Sequence, residues 1–307
     1  MMCCVDSVEA RLERQLGGRV LLLAMRPGPG RRNQLVEARV GRRRYVLKLG
    51  AETAREAWAL SLLPRGLGPA LVQAPRPEEL PLIMERLPGS PLTARRAPPF
   101  LGALARALAA LHATRPRRGP ALACPSHPPA VWSLSQELAR ALEERGLVGA
   151  EARPVLDQGL AEARAHLGRL DPRRWRRPVR ALCHGDLAGH NVLVRGRALW
   201  LIDFELAGLS DPAVDLALFL ARNPLSAADE RRFLEAYRRS TQDGATAQRC
   251  LDVLPLVALL SALNGLLTVA DNVAGWSPAE LERRARRAAR ALERAFQRLA
   301  RAGRAPR

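Results

Sequence analysis

Three side chains near the middle of this 307-residue chain have the types and the spacing for phosphate chemistry. They are Asp186, Asn191 five residues on, and Asp203 twelve residues further, within the stretch 182–217, LCHGDLAGHNVLVRGRALWLIDFELAGLSDPAVDLA. Phosphoryl transfer asks little covalent chemistry of a protein. It needs a carboxylate to hold the acceptor hydroxyl, oxygen ligands for magnesium, and charge placed around the phosphates. Magnesium takes hard oxygen ligands at about 2.0–2.1 Å, commonly with only one or two protein carboxylates. Asn191 and Asp203 are ligands of that kind.

Such residues work only if the chain brings them together. The apolar runs 192–194 and 199–202 flank Arg195-Gly196-Arg197, a turn-like break, so the stretch is predicted to be a β-hairpin. Asn191 then stands just before the first strand and Asp203 just after the second. Loops favour Asp, Asn and Gly in any protein, so the pattern counts jointly and no residue counts alone.

A fourth group stands apart. Lys and Arg together number 49, yet Lys48 is the single lysine. It sits in the strand-like run Tyr45-Val46-Leu47-Lys48-Leu49. A compact ammonium reaches phosphate oxygens between packed neighbours where a guanidinium does not fit. Helical spacing over 52–63, ended by Pro64, puts Glu56 on a helix following this strand, a carboxylate available to partner the ammonium. Glu52, one turn earlier on the same face, is the rival.

His184-Gly185-Asp186-Leu187, Asn191 and Ile202-Asp203-Phe204 resemble the HGDLxxxN and IDF/W motifs of the aminoglycoside phosphotransferase and choline kinase-like superfamily. That superfamily is a small-molecule branch of the protein-kinase fold. Gly185 stands where protein kinases carry Arg in H-R-D, and Glu205 where they carry Gly in D-F-G. The resemblance implies an α+β, two-lobed, protein-kinase-like fold. A small antiparallel sheet with one helix would form the N-terminal lobe, and a larger, mainly helical lobe would follow. It implies Asp186 as the catalytic carboxylate, Asn191 and Asp203 as Mg²⁺ ligands, and Lys48 on the ATP phosphates. It also implies His184 as a loop-holding residue and Asp215 as a brace that bonds backbone amides of the catalytic loop.

Pro27-Gly28-Pro29-Gly30-Arg31-Arg32-Asn33 lies between two predicted strands, 20–25 and 34–40. It resembles the family's G-x-x-N nucleotide loop, with Gly30 and Asn33 as candidates, although any hairpin turn has a similar composition. The apolar strand 81–87 resembles the hinge against which adenine lies, with Met84 and Glu85 as the nucleotide-facing candidates. A composition change at 88–92 divides the chain into 1–87, a nucleotide-binding lobe, and 88–307, a catalytic and acceptor-binding lobe.

Helical periodicity is predicted for 7–16, 100–113, 132–145, 149–170, 227–239, 247–269 and 278–301, with a Pro- and Arg-rich loop over 114–130. Asp211-Pro212 is an N-cap followed by a first-turn proline. Stretch 254–270 is the most apolar, and it reads as a buried helix rather than a membrane span. Five cysteines without a CxxC pair fit a reducing cytoplasm, and no signal peptide is expected.

The formal charge of +19 raises the question of a nucleic-acid partner, but only 4% of residues are aromatic and no recognition module is apparent. The expected partner is a small-molecule hydroxyl acceptor, without specific nucleic acid or membrane, and with the oligomeric state open. A cationic acceptor would need acidic or aromatic groups, for which Glu205, Asp229, Glu230, Asp271 and Trp276 are available. Competing readings are a non-catalytic nucleotide-binding pseudokinase and a basic polyanion-binding protein.

Overall fold

The computed structural model describes residues 10, 12–27, 34–75, 81–122, 125, 127–176, 179–271 and 276–304. Period-two patterning shapes its first part. β1 (Val20–Pro27), β2 (Gln34–Val40), β3 (Arg43–Leu49), β4 (Leu71–Gln73) and β5 (Leu82–Glu85) form an antiparallel sheet in the order β1-β2-β3-β5-β4. Gly41 opens the two-residue turn between β2 and β3 at φ +58, a conformation glycine adopts without steric cost. The register from Gln34↔Leu49 to Val40↔Arg43 then follows. Tyr45, Leu47 and Ile83 join Leu12, Val20, Val36 and Ala38 in a small core on one face. Lys48, opposite Leu82, therefore points to the other face.

Helix α1 (Thr53–Leu62) covers that second face, burying Glu56, Ala57 and Leu60. Ala57 and Leu60 belong to the large core that continues into the second part of the chain. That part is mainly helical: α2 (Leu101–Ala113), α3 (Pro128–Glu144), α4 (Arg153–Arg169), α5 (Pro212–Arg222), α6 (Ala227–Thr241), α7 (Gly244–Asp271) and α8 (Pro278–Arg304). Leu101, Leu104, Leu108 and Leu111 of α2 are fully buried, as their spacing predicts. Three short strand pairings carry the loops of interest. β6 (Ser90–Pro91) pairs with β8 (Val192–Arg195), β8 with β9 (Ala198–Leu201), and β7 (Ala181–Cys183) with β10 (Gly208–Ser210).

Helix α7 is long and apolar enough to cross a membrane by length and composition. Its run from Val253 to Leu260 is buried all round, and it packs against α3, α5, α6 and α8. A helix apolar on every side is the signature of a core helix as well as of a span, and here it fills the core.

The α+β organisation and the antiparallel sheet with a single following helix match the expectation. Boundaries moved in places. α3 starts at Pro128, inside the expected loop, because a proline in the first turn gives up no hydrogen bond there. The helix expected over 7–16 is described only at 10 and 12–16, where it is helical. Gly30 and Asn33 lie outside the described residues.

Candidate active site

Lys48 is 4% exposed, and its Nζ lies 2.8 Å from Glu56 Oε2, 2.6 Å from Asp203 Oδ1 and 2.8 Å from Glu205 Oε2. Burial works against its charge, but Glu56 and Asp203 outweigh that and hold the ammonium above the ordinary lysine value. The other carboxylate oxygen of Glu56 accepts from the Phe204 N–H at 3.1 Å, tying α1 to the residue after Asp203. Glu52 faces outward and pairs with Arg55, so the open choice between the two glutamates resolves to Glu56. One lysine among three carboxylates leaves a surplus of two negative charges. Asp203 and Glu205 keep part of that surplus accessible, with 29% and 22% of their side chains exposed.

The hairpin forms as the apolar runs require. Val192 stands opposite Leu201, and the Ile202 N–H donates to the Asn191 carbonyl at 3.0 Å, which brings Asn191 and Asp203 to the same end. The Asn191 side-chain N–H donates to the Asp186 carbonyl and to Asp186 Oδ2, both at 2.9 Å. Oδ1 is then the atom Asn191 has to offer a cation. Together with the carboxylates of Asp203 and Glu205, this is a hard-oxygen set that fits Mg²⁺. Asp203 itself holds φ +67, a left-handed value that costs a non-glycine residue about 1–2 kcal/mol and concentrates at functional loops.

Helix α5 lies under the loop from His184 to Asn191 like a ruler. Asp211 caps it, accepting from the Ala213 N–H at 3.0 Å. One turn on, fully buried Asp215 accepts from the N–H groups of His184 (2.6 Å) and Gly185 (2.9 Å) and pairs with His112 (3.1 Å). Burial pushes the Asp215 carboxyl up, but the bonds from His112 and Gly185, with His184 nearby, outweigh it and hold it below its ordinary value. Gly185 sits at φ +80, where a Cβ would stand 2.4 Å from the Leu206 carbonyl oxygen, so only glycine fits. His184 donates from Nε2 to the Ile202 carbonyl at 2.9 Å and accepts the Asp186 N–H at Nδ1, at 3.3 Å. Both its nitrogens hold the loop, which leaves neither for proton abstraction.

The last turn of α5 supplies a residue that the sequence reading missed. Arg222, seven residues beyond Asp215 and so on the same face, pairs with Asp186 Oδ1. Its signal was that spacing along an otherwise apolar helix. Asn223 follows and accepts the Gly189 N–H at 3.0 Å. The proposed acceptor groups are engaged elsewhere. Asp229 bonds Ser226, Glu230 pairs with Arg298, Asp271 pairs with Arg145, and Arg284 stacks 3.8 Å from the Trp276 ring centre.

At the expected hinge, Met84 is buried inside β5, and the Glu85 N–H donates to the Ala70 carbonyl at 2.9 Å. The Arg86 N–H goes to Arg44, so the sheet uses both of these amides.

A family-wide profile described as "Phosphotransferase enzyme family" matches residues 25–253. Protein LicA of Haemophilus influenzae is 37% identical over 59 residues, a match spanning 19% of this chain and 22% of that protein. Among solved structures, choline kinase LicA of Streptococcus pneumoniae superposes with a TM-score of 0.64 at 19% identity, over 97% of this chain and 99% of that one. The aminoglycoside phosphotransferase APH(4)-Ia, a thermostable mutant in ternary complex with ADP and hygromycin B, gives 0.60 at 18% identity over 98% and 100%. Identities this low carry the fold, which is kinase-like.

Proposed function

This chain belongs to the phosphotransferase enzyme family, and from that premise we propose that it moves the γ-phosphoryl group of ATP to a hydroxyl of a small molecule in an Mg²⁺-dependent reaction. The observation that carries the reading is the Lys48 cluster. An ammonium buried in the sheet meets Glu56 of α1 and Asp203 of the loop after β9, three elements of which the last lies 155 residues beyond the lysine. In this reading Lys48 holds phosphate oxygens and Glu56 fixes its direction. Asp186 receives the acceptor hydroxyl and its proton, oriented by Asn191 on one oxygen and Arg222 on the other. Asn191 and Asp203, with Glu205 beside them, are the groups that would hold the ion. Magnesium, when bound, neutralises charge on the transferring phosphoryl group.

The acceptor is a small amino alcohol, aminoglycoside, thiamine or similar hydroxyl compound, and the setting is cytoplasmic. A base docked at the hinge would find its backbone N–H donors beyond Arg86, since the sheet uses those of Glu85 and Arg86. The test is coupled ADP release screened over choline, ethanolamine, aminoglycosides, sugars and thiamine. Asp186→Asn is expected to lower turnover by roughly 10²–10⁴-fold while Mg-ATP still raises the melting temperature. Equal turnover in the variant removes Asp186 from its role. A thermal shift with Mg-ATP but no ADP release with any acceptor would favour non-catalytic nucleotide binding instead.

A further inference from the structure

Residues 114–122 leave α2 and run across the machinery rather than around it. The Leu182 N–H donates to the Thr114 carbonyl at 2.9 Å, the Leu209 N–H to the Pro120 carbonyl at 2.8 Å, and the Leu122 N–H to the Leu209 carbonyl at 3.3 Å. Ala121 forms a parallel bridge with Leu209. The segment is therefore bonded to β7, which leads into the catalytic loop, and to β10, which follows Asp203 and Glu205. Glycines mark how close it lies. A Cβ on Gly208 would stand 2.7 Å from the Ala121 carbonyl carbon, and one on Gly185 would stand 2.7 Å from Leu122 Cδ1.

The same segment touches α1. Arg55 Nη1 donates to the Ala121 carbonyl at 3.1 Å, and a Cβ on Gly119 would stand 2.2 Å from Trp58 Cζ2. Arg55 and Trp58 are three apart and share one flank of the helix that carries Glu56. Just past the helix's other end, the Leu201 N–H of β9 donates to the Leu67 carbonyl at 2.8 Å. The helix bearing the lysine's partner is thus tied near both ends to the strands that present Asp186 and Asp203.

We propose that residues 114–122 are a strap that fixes α1 against the catalytic loop, and that Arg55, Trp58 and Gly119 are positioning residues for the Lys48–Glu56 pair. The physical need is plain: a displacement of about 1 Å at a phosphate-holding group can cost about 10²-fold in rate. The strap holds the pair assembled through contacts already present in the unmodified chain. Its kinetic consequence rests on the phosphotransferase reading above; the fixing of α1 does not.

Gly119→Ala tests this, because Gly119 is outside the left-handed region and the three atoms nearest an added Cβ all belong to the Trp58 indole. Expected is about 10-fold faster amide hydrogen exchange in α1 with α7 unchanged, and about 10-fold higher KM for ATP with the acceptor KM unchanged. Gly119→Ala/Trp58→Phe, which removes the far ring of the indole, is expected to restore both. Should Gly119→Ala fail to fold, Arg55→Ala loses the bond to the Ala121 carbonyl and a weak, solvent-facing pair with Glu52, and is expected to shift both readouts the same way, by about 3-fold, while Glu52→Gln, which removes the pair alone, leaves them unchanged. Unchanged exchange in α1, equal acceleration in α7, or no restoration in the double variant would overturn the proposal. If the wild type turns over no acceptor, the exchange measurements still decide the strap, and the phosphotransferase reading alone falls.

Discussion

An ammonium that sits among three carboxylates at the mouth of a packed sheet has to be small. A guanidinium spreads its donors over a rigid plane and would push Glu56, Asp203 and Glu205 apart. Lys48→Arg, conservative by charge, is therefore expected to lower kcat/KM for ATP at least about 100-fold in steady-state kinetics. Glu56→Gln is expected to cost about 10–100-fold in the same constant, because the lysine loses a buried partner and the Phe204 amide loses a charged acceptor. Half-buried Glu52→Gln is expected to leave it within about 2-fold, since solvent-facing pairs contribute little. If the two glutamine variants behave alike, the assignment of Glu56 fails.

Among the elements, α5 does the most with the fewest residues. Its N-cap, its buried aspartate, its final arginine and the asparagine that follows each hold a different segment beside it, from Val179 to Gly189. Asp215→Asn puts an amide donor against the donors of His184 or Gly185, and is expected to cost roughly 2–4 kcal/mol in urea unfolding at neutral pH. Because the Asp215 carboxyl is depressed in the folded state, its contribution is complete above the ordinary value of 3.8 and fades as pH falls through the folded value. The gap between wild type and variant should therefore narrow in acid, and a gap that widens would contradict the depressed carboxyl. Helices and the β8–β9 hairpin were legible because period and apolar runs are local signals. β7 and β10, three residues each, were not, because their pairing is made by parts of the chain 25 or more positions apart. β6 was hidden as well, since Ser90-Pro91 has no strand propensity and is held by Leu193 and Val194 across from it. The same limit concealed Arg222, whose partner is 36 residues away, and the strap, whose Pro- and Arg-rich composition signals only a loop.

For the whole molecule, the two features that invite other functions are its charge and its apolar helix. Because α7 spends its apolar surface on α3, α5, α6 and α8, the protein is expected to stay in the lower fractions when floated with neutral phosphatidylcholine vesicles. Any recovery on anionic vesicles should vanish with added salt, the mark of exposed arginines rather than of insertion. Recovery on neutral vesicles at high salt would show α7 leaving the core. The restriction of basic side chains to arginine everywhere but one place has a practical outcome. Amine-directed chemistry has a single internal target in this chain, and carboxylates shield it. An acylating nucleotide analogue would label position 48 alone, and a protease that cuts after lysine would divide the polypeptide once, just ahead of the helix that steadies its cleavage site.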